Sequence, residues 1–133
     1  MHRIFPIIFQ QQRYLVKELN EVLGQHDLHH AQFTILYLLR ERGIMSLTAI
    51  WKYLNVEAPT VTRTVTRLEQ MGYVQRVVGS DKREKMIELT AFATEKLPAI
   101  ITDVESYEKK MLRHLHDADI ESLEAILKKM KGD

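Results

Sequence analysis

The chain contains no cysteine, which excludes disulfides, thiolate metal sites and thiol redox sensing. It also lacks a glycine-rich phosphate loop and an HExxH pair of metal ligands. The serines fall at predicted caps, turns or helix surfaces, where nothing activates a hydroxyl as a nucleophile. We therefore predict that the protein is not an enzyme and carries no cofactor.

Long hydrophobic runs are also missing. The apolar segment at residues 4–9 is too short to cross a bilayer and gives way to three glutamines and Arg13. We expect a cytoplasmic protein with no membrane partner. The hydrophobic content of 45%, the charged content of 28% and the length of 133 residues suit one globular domain over residues 1–133.

The net charge of +1 is small, but its distribution along the chain is uneven. Residues 46–90 hold seven Lys and Arg against five Asp and Glu, whereas residues 91–133 hold seven against nine. The middle segment is therefore net positive and the C-terminal segment net negative. These signs are expected if the middle segment faces DNA and the end faces a protein partner.

Apolar residues at helical spacing predict a long helix at each end of the chain. The first begins near Ile4, runs for about twenty residues and is expected to end with Gly24 at its C′ position. After Thr90, a helix to about residue 114 is expected to be interrupted or bent near Pro98. A last helix continues through Met130.

The middle of the chain changes from helical to strand periodicity. We predict helices over residues 31–42 and 47–54, the second capped by Ser46, and another with Pro59 in its first turn. Beyond it, residues 73–78 and 85–89 alternate as two short strands around a polar turn. This order predicts a mainly α fold with a small β-hairpin wing, a winged helix-turn-helix.

The helix that begins near Pro59 has the composition of a DNA recognition helix. Val61, Val65 and Leu68 form one narrow apolar stripe, so only one side of the helix is expected to pack on a core. No acidic residue occurs from Ala58 to Leu68. Short hydroxyls and arginines there suit contacts with phosphates and base edges. The other faces carry Pro59, Thr60, Thr62, Arg63, Thr66, Arg67 and Gln70.

The tip of the predicted hairpin is basic. It offers Lys82, Arg83 and Lys85, with Arg76 near the base of the hairpin. Charged hairpin tips are also common simply because they are solvated. Because this tip directly follows a helix without carboxylates, we interpret it as a second contact with DNA.

Four segments of the sequence resemble the MarR family of bacterial transcriptional regulators. They are residues 54–63, residues 68–76, the Asp-x-Arg pattern at residues 81–83 and the pair Leu89-Thr90. The resemblance spans nearly the whole chain. It implies a homodimer, held together by residues 1–30 and 91–133, with residues 31–90 forming the winged helix-turn-helix that binds double-stranded DNA.

The resemblance also assigns roles to individual residues. Arg83 corresponds to the wing arginine that enters the minor groove, and Asp81 would orient it. Apart from the resemblance, Arg67 lies a turn further from the helix start and is expected either to contact a phosphate or to pair with Glu69 or Glu88. The contacts of the recognition helix would fall on Pro59, Thr60, Thr62, Arg63 and Thr66.

One residue departs from the family pattern next to the recognition helix. Trp51 stands where the family usually has a small residue. Either the two helices of the motif cross farther apart, or the indole lies partly exposed.

The family resemblance further implies an effector, often phenolic, bound between the dimerisation helices and the winged domain. The residues expected to line that pocket are Arg13, Tyr14, His30, Phe33 and Tyr37. The spacing of Phe33 and Tyr37 along their helix instead favours a place in the core for both.

Five of the histidines cluster at two helix connections. His26, His29 and His30 precede the second helix, and His114 and His116 precede the last. Their spacing matches no compact metal motif, and histidines are common at helix ends, so we predict no metal site. The alternative is a zinc-responsive regulator that uses these side chains.

Together these observations predict a dimeric, sequence-specific DNA-binding transcriptional regulator. We expect a repressor of pseudo-palindromic operators that a small aromatic or phenolic molecule releases. The alternative is a winged helix used as a protein-interaction module, in which the basic face meets an acidic partner.

Overall fold

The computed structural model describes residues 1–79 and 83–132. Most of these residues are helical, as the sequence predicts, and three short strands form the rest of the regular structure. The elements in chain order are α1 (Ile4–Gly24), α2 (His30–Arg42), β1 (Met45–Ser46), α3 (Leu47–Leu54), α4 (Ala58–Gln70), β2 (Val74–Val78), β3 (Lys85–Leu89), α5 (Ala91–Met111) and α6 (Asp117–Lys131).

Local sequence signals set the ends of the central helices. The Ser46 hydroxyl accepts a hydrogen bond of 3.0 Å from the Ala49 amide at the start of α3, which confirms the predicted cap. Gly43 ends α2 with φ of 78°, and Asn55 adopts a left-handed conformation after α3. This turn at Asn55 lets α4 begin only three residues later and places the two helices as a helix-turn-helix pair.

The three strands form one antiparallel sheet in the order β1-β3-β2. In β2 and β3, Arg76 lies opposite Ile87, and on the other edge Met45 of β1 pairs with the same Ile87. The hairpin of β2 and β3 confirms the predicted wing. Strand β1 was not predicted, because two residues are too short to show a period of two.

The predicted C′ position of Gly24 and the predicted interruption at Pro98 are wrong, whereas the alternative of a bend at Pro98 stays a prediction. Gly24 is the last residue inside α1, and the left-handed residue of the connection is Asp27, with φ of 59°. Helix α5 continues through Pro98 without interruption. Pro98 removes one backbone donor, but Leu97 and Ile100 on either side are buried, so tertiary packing holds the helix together.

The core lies between α2, α4, the sheet and the first half of α5. Val61, Val65 and Leu68 are buried, which confirms that α4 packs along one narrow stripe. Trp51 packs against this core while remaining partly exposed, so of the two alternatives for Trp51 the structure shows the partly exposed indole. Within residues 1–79 and 83–132, no helix is long and apolar enough to cross a membrane.

Candidate nucleic-acid interface

The surface of α4 opposite its buried stripe carries the side chains expected to meet DNA. Pro59, Thr62, Arg63 and Arg67 are exposed, and Thr66 is partly exposed. Thr60 is also partly exposed, at the start of the helix. The first turn contains no acidic residue, so the amides and dipole of the helix start are not offset by a carboxylate there.

The threonines of α4 use their hydroxyl protons inside the helix. Thr62, Thr64 and Thr66 donate to the carbonyl oxygens four residues earlier, at 3.0, 3.0 and 2.8 Å. Such bonds satisfy the hydroxyl proton and leave the oxygen lone pairs and the methyl group for other contacts. In this arrangement Thr62 and Thr66 suit base donors and thymine methyl groups better than phosphates.

The two arginines of α4 are extended along its solvent side. An Arg63 guanidinium nitrogen lies 3.4 Å from the Thr60 hydroxyl, and an Arg67 nitrogen lies 3.5 Å from the side-chain oxygen of Gln70. Both contacts are long and solvent-exposed, so both guanidinium groups can be redirected to an incoming anion at little cost.

The proposed ion pairs of Arg67 are not found. Glu69 lies 3.5 Å from Arg76, and Glu88 accepts a hydrogen bond of 2.7 Å from Gln75 across the hairpin. The described contacts of Arg67 therefore agree with the predicted phosphate contact and not with the predicted ion pairs.

Arg76 connects the wing to the recognition helix. From β2, one of its terminal nitrogens donates to the Thr66 hydroxyl at 3.1 Å, and its Nε lies 3.5 Å from a Glu69 carboxylate oxygen. The sequence showed Arg76 only as a cation near the base of the hairpin. Its fork of donors reaches two residues of α4 at once, so it fixes the helix and wing relative to each other.

The wing ends in exposed cations where the structure describes it. Arg83 is exposed in the turn before β3, and Lys85 is the exposed first residue of that strand. Asp81 and Lys82 lie outside the described residues, so the predicted orientation of Arg83 by Asp81 stays a prediction. Positive charge is thus present both on the solvent side of α4 and on the wing of the same winged domain.

A second region of interest is a groove between α1 and the end of α5, which we call the α1–α5 groove. It has a volume of about 510 Å³ and is mostly apolar. The Tyr107 hydroxyl donates to the Leu15 carbonyl at 2.7 Å and joins the two helices. The groove is lined by Gln12, Leu15, Val16, Leu19, His30, Tyr107, Glu108, Met111 and Leu112.

Only one of the five predicted effector residues, His30, lines this groove. Arg13 and Tyr14 are exposed on other parts of α1, and Phe33 is buried in the core. Tyr37 is 42% exposed, so its predicted place in the core is wrong, although its ring stacks 5.9 Å from that of Phe33. The predicted cluster therefore does not form around one cavity.

Three of the five clustered histidines take structural positions in the fold. His26 Nε2 lies 2.7 Å from an Asp103 carboxylate oxygen and so links the connection after α1 to α5. His29 and His116 stand at the N-cap positions of α2 and α6. Among residues 1–79 and 83–132, no group of three or more His, Asp or Glu side chains could hold a metal ion.

Comparison with known proteins shows which family shares this architecture. The sequence profile of the MarR family matches residues 28–85. The HTH-type transcriptional regulator YwoH of Bacillus subtilis (strain 168) is 45% identical over 115 residues, which cover 86% of this chain and 84% of that protein. This chain belongs to the MarR family. It is a transcriptional regulator with a winged helix-turn-helix, as the four segments of the sequence predict.

Solved structures of MarR from Escherichia coli allow two conformations to be compared with this MarR-family chain. A mutant of that protein complexed with operator DNA matches with a TM-score of 0.89 and 26% identity, covering 96% of this chain and 92% of the other. The apo form of wild-type MarR matches with a TM-score of 0.79 and 25% identity, covering 98% and 97%. The chain is thus more similar to the DNA-complexed conformation than to the apo conformation of the same relative.

Proposed function

We propose that this MarR-family regulator is a homodimeric repressor that binds a pseudo-palindromic operator and is released by a small ligand. The observation that carries this proposal is the surface of α4, where Thr62, Arg63 and Arg67 are exposed and acidic residues are absent from Ala58 to Leu68. Arg63 is assigned to a base edge and Arg67 to a phosphate. Arg83 and Lys85 of the wing extend the contact beyond the major groove.

The dimer is proposed from the apolar surfaces of the terminal helices. Within the described chain, α6 buries none of its residues, although it carries a row of large apolar side chains. A surface of this kind is expected to be covered by a partner. A second copy is the partner that gives two-fold symmetry and matches a palindromic site. The exposed apolar residues are Ile4, Phe5, Ile7 and Phe9 on α1 and Leu123, Ile126, Leu127 and Met130 on α6.

Release by a ligand is proposed from the position of His30. This residue lines the α1–α5 groove and also a smaller cavity of about 260 Å³ that includes Thr60, Val61 and Thr64 of α4. A molecule in the groove that displaces His30 therefore acts on a residue packed beside the start of the recognition helix. A ligand that prefers the displaced arrangement lowers the affinity for DNA by the same factor by which DNA lowers the affinity for the ligand.

The decisive experiment is selection from a random pool of double-stranded DNA by the purified full-length protein, followed by titration of the winners against salt. We expect an inverted repeat with half-sites about 10 bp apart, centre to centre, and a steep loss of affinity as salt rises. Enrichment of no sequence, together with undetectable binding at low salt, would refute the DNA-binding assignment and favour the protein-interaction alternative.

A further inference from the structure

The polar lining of the α1–α5 groove has an unusual balance of charge. Five of its residues are apolar, and Glu108 is the one charged side chain among those that line it. The cations Arg13 and Lys17 line a neighbouring depression that shares Gln12 and Val16 with the groove. Lys110 lines another beside Glu18, which shares Tyr107 and Met111 with the groove. No cation of the described chain therefore lines the groove.

Glu108 is an exposed residue on the wall of the groove, and its carboxylate lies near a second one. Partial burial raises the pKa of Glu108, and the Glu105 carboxylate raises the pKa further. A group whose charge is opposed in this way gains when a positive charge arrives beside it. A negative charge in the same place would add a second repulsion to that of Glu105.

The two other titratable groups of the groove stay neutral near pH 7. Burial, assisted by the neighbouring His29, lowers the pKa of His30 and so favours the uncharged imidazole. Burial raises the pKa of Tyr107, with a further contribution from Glu18, so its phenol stays protonated. Its proton is used in the bond of 2.7 Å to the Leu15 carbonyl, which leaves an acceptor oxygen.

From the apolar walls, the single carboxylate and the absence of a lining cation among the described residues, we propose that the α1–α5 groove binds an aromatic cation, such as an aryl amidine. The aromatic part would lie against Leu15, Val16 and Met111, and the positive group would meet Glu108. This assignment rests on the proposed role of the groove as the effector site and specifies the charge of its aromatic ligand. An aromatic acid is disfavoured because it would place like charges together.

The test compares two ligands of the same shape and opposite charge, 2-naphthamidine and 2-naphthoate, by isothermal titration calorimetry with the full-length protein. We expect the cation to bind at least about tenfold more tightly than the anion. Glu108→Gln keeps the size of the side chain and should remove this preference. Glu95→Gln, an exposed carboxylate at the start of α5, is the matched control and should leave it unchanged.

The DNA affinity of each variant is measured in parallel, which separates this proposal from the proposed function. Equal binding of the cation to wild type and Glu108→Gln, or tighter binding of 2-naphthoate, overturns the assignment of charge. If neither compound binds a protein that still binds DNA, the groove is not an effector site and the DNA-binding role stands. If the protein binds the cation but no DNA, the ligand assignment stands and the regulator function fails.

Discussion

The free energy that the contact between Arg76 and the recognition helix contributes to folding can be measured. Arg76 donates to the Thr66 hydroxyl at 3.1 Å and lies 3.5 Å from Glu69. A hydrogen bond from a charged donor contributes about 1.5–3 kcal/mol when shielded from water. The side chains of Arg76 and Glu69 are 31% and 40% exposed, so the ion pair itself is screened and adds about 0.2–1 kcal/mol.

A double-mutant cycle isolates the contact with Thr66. Arg76→Gln and Thr66→Val each remove it, and the two changes together should cost about 1 kcal/mol less than the sum of the single changes. The free energy of unfolding is measured by urea titration at one fixed protein concentration, because the stability of a dimer depends on concentration. A coupling energy indistinguishable from zero would show that the contact does not hold the wing to the helix.

Arg76→Lys separates positioning from simple charge. A lysine keeps the positive charge but cannot contact Thr66 and Glu69 with a rigid fork of donors. If Arg76 positions the wing, the lysine variant should bind operator DNA nearly as poorly as Arg76→Gln. Full recovery of DNA affinity by lysine would refute positioning and show that Arg76 serves as a phosphate contact.

Five further outcomes are expected. Arg63→Ala should cost about 1–3 kcal/mol of operator affinity and relax sequence preference, whereas Arg83→Ala should weaken all sequences and lower the salt slope, both measured by fluorescence polarisation on operator and scrambled DNA. Val65→Asp should abolish the cooperative thermal transition, because it places an unpaired charge in the core. Ile126→Asp should shift the dimer towards monomer in analytical ultracentrifugation, while Glu121→Gln should not. Because the folded state lowers the pKa of His30, stability should fall as pH drops below its ordinary value of 6.5, with a smaller fall in His30→Gln.

The winged helix-turn-helix was predictable because its signals are local. The stripe of Val61, Val65 and Leu68 sets which side of α4 is buried, and the cap at Ser46 fixes where α3 begins. Each signal involves neighbours within one or two helical turns. Strand β1 was not predicted because its two residues pair with β3 some forty positions away, and nothing in their own sequence marks that pairing.

The lining of the α1–α5 groove was predicted poorly because the groove is assembled from distant parts of the chain. Periodicity assigned Phe33 and Tyr37 to the core together, but the structure buries the first and leaves the second exposed. Glu108 could not be selected from the sequence, where it is one of several carboxylates on α5. Its place beside Leu15 follows from the packing of α1 against α5, which the Tyr107 hydrogen bond to Leu15 records.

The proposed DNA-facing surface and the α1–α5 groove therefore differ in how far the sequence predicts their chemistry. The proposed DNA-facing surface is built on one helix and one hairpin, so the family pattern predicts its chemistry residue by residue, including the roles of Arg63 and Arg83. The groove depends on which side chains two helices bring together, and a single carboxylate such as Glu108 changes the charge it accepts without changing the fold. Relatives that share the recognition helix need not share a ligand. If the proposed effector site is this groove, its ligand is better sought from the charge and shape of the groove than from the family.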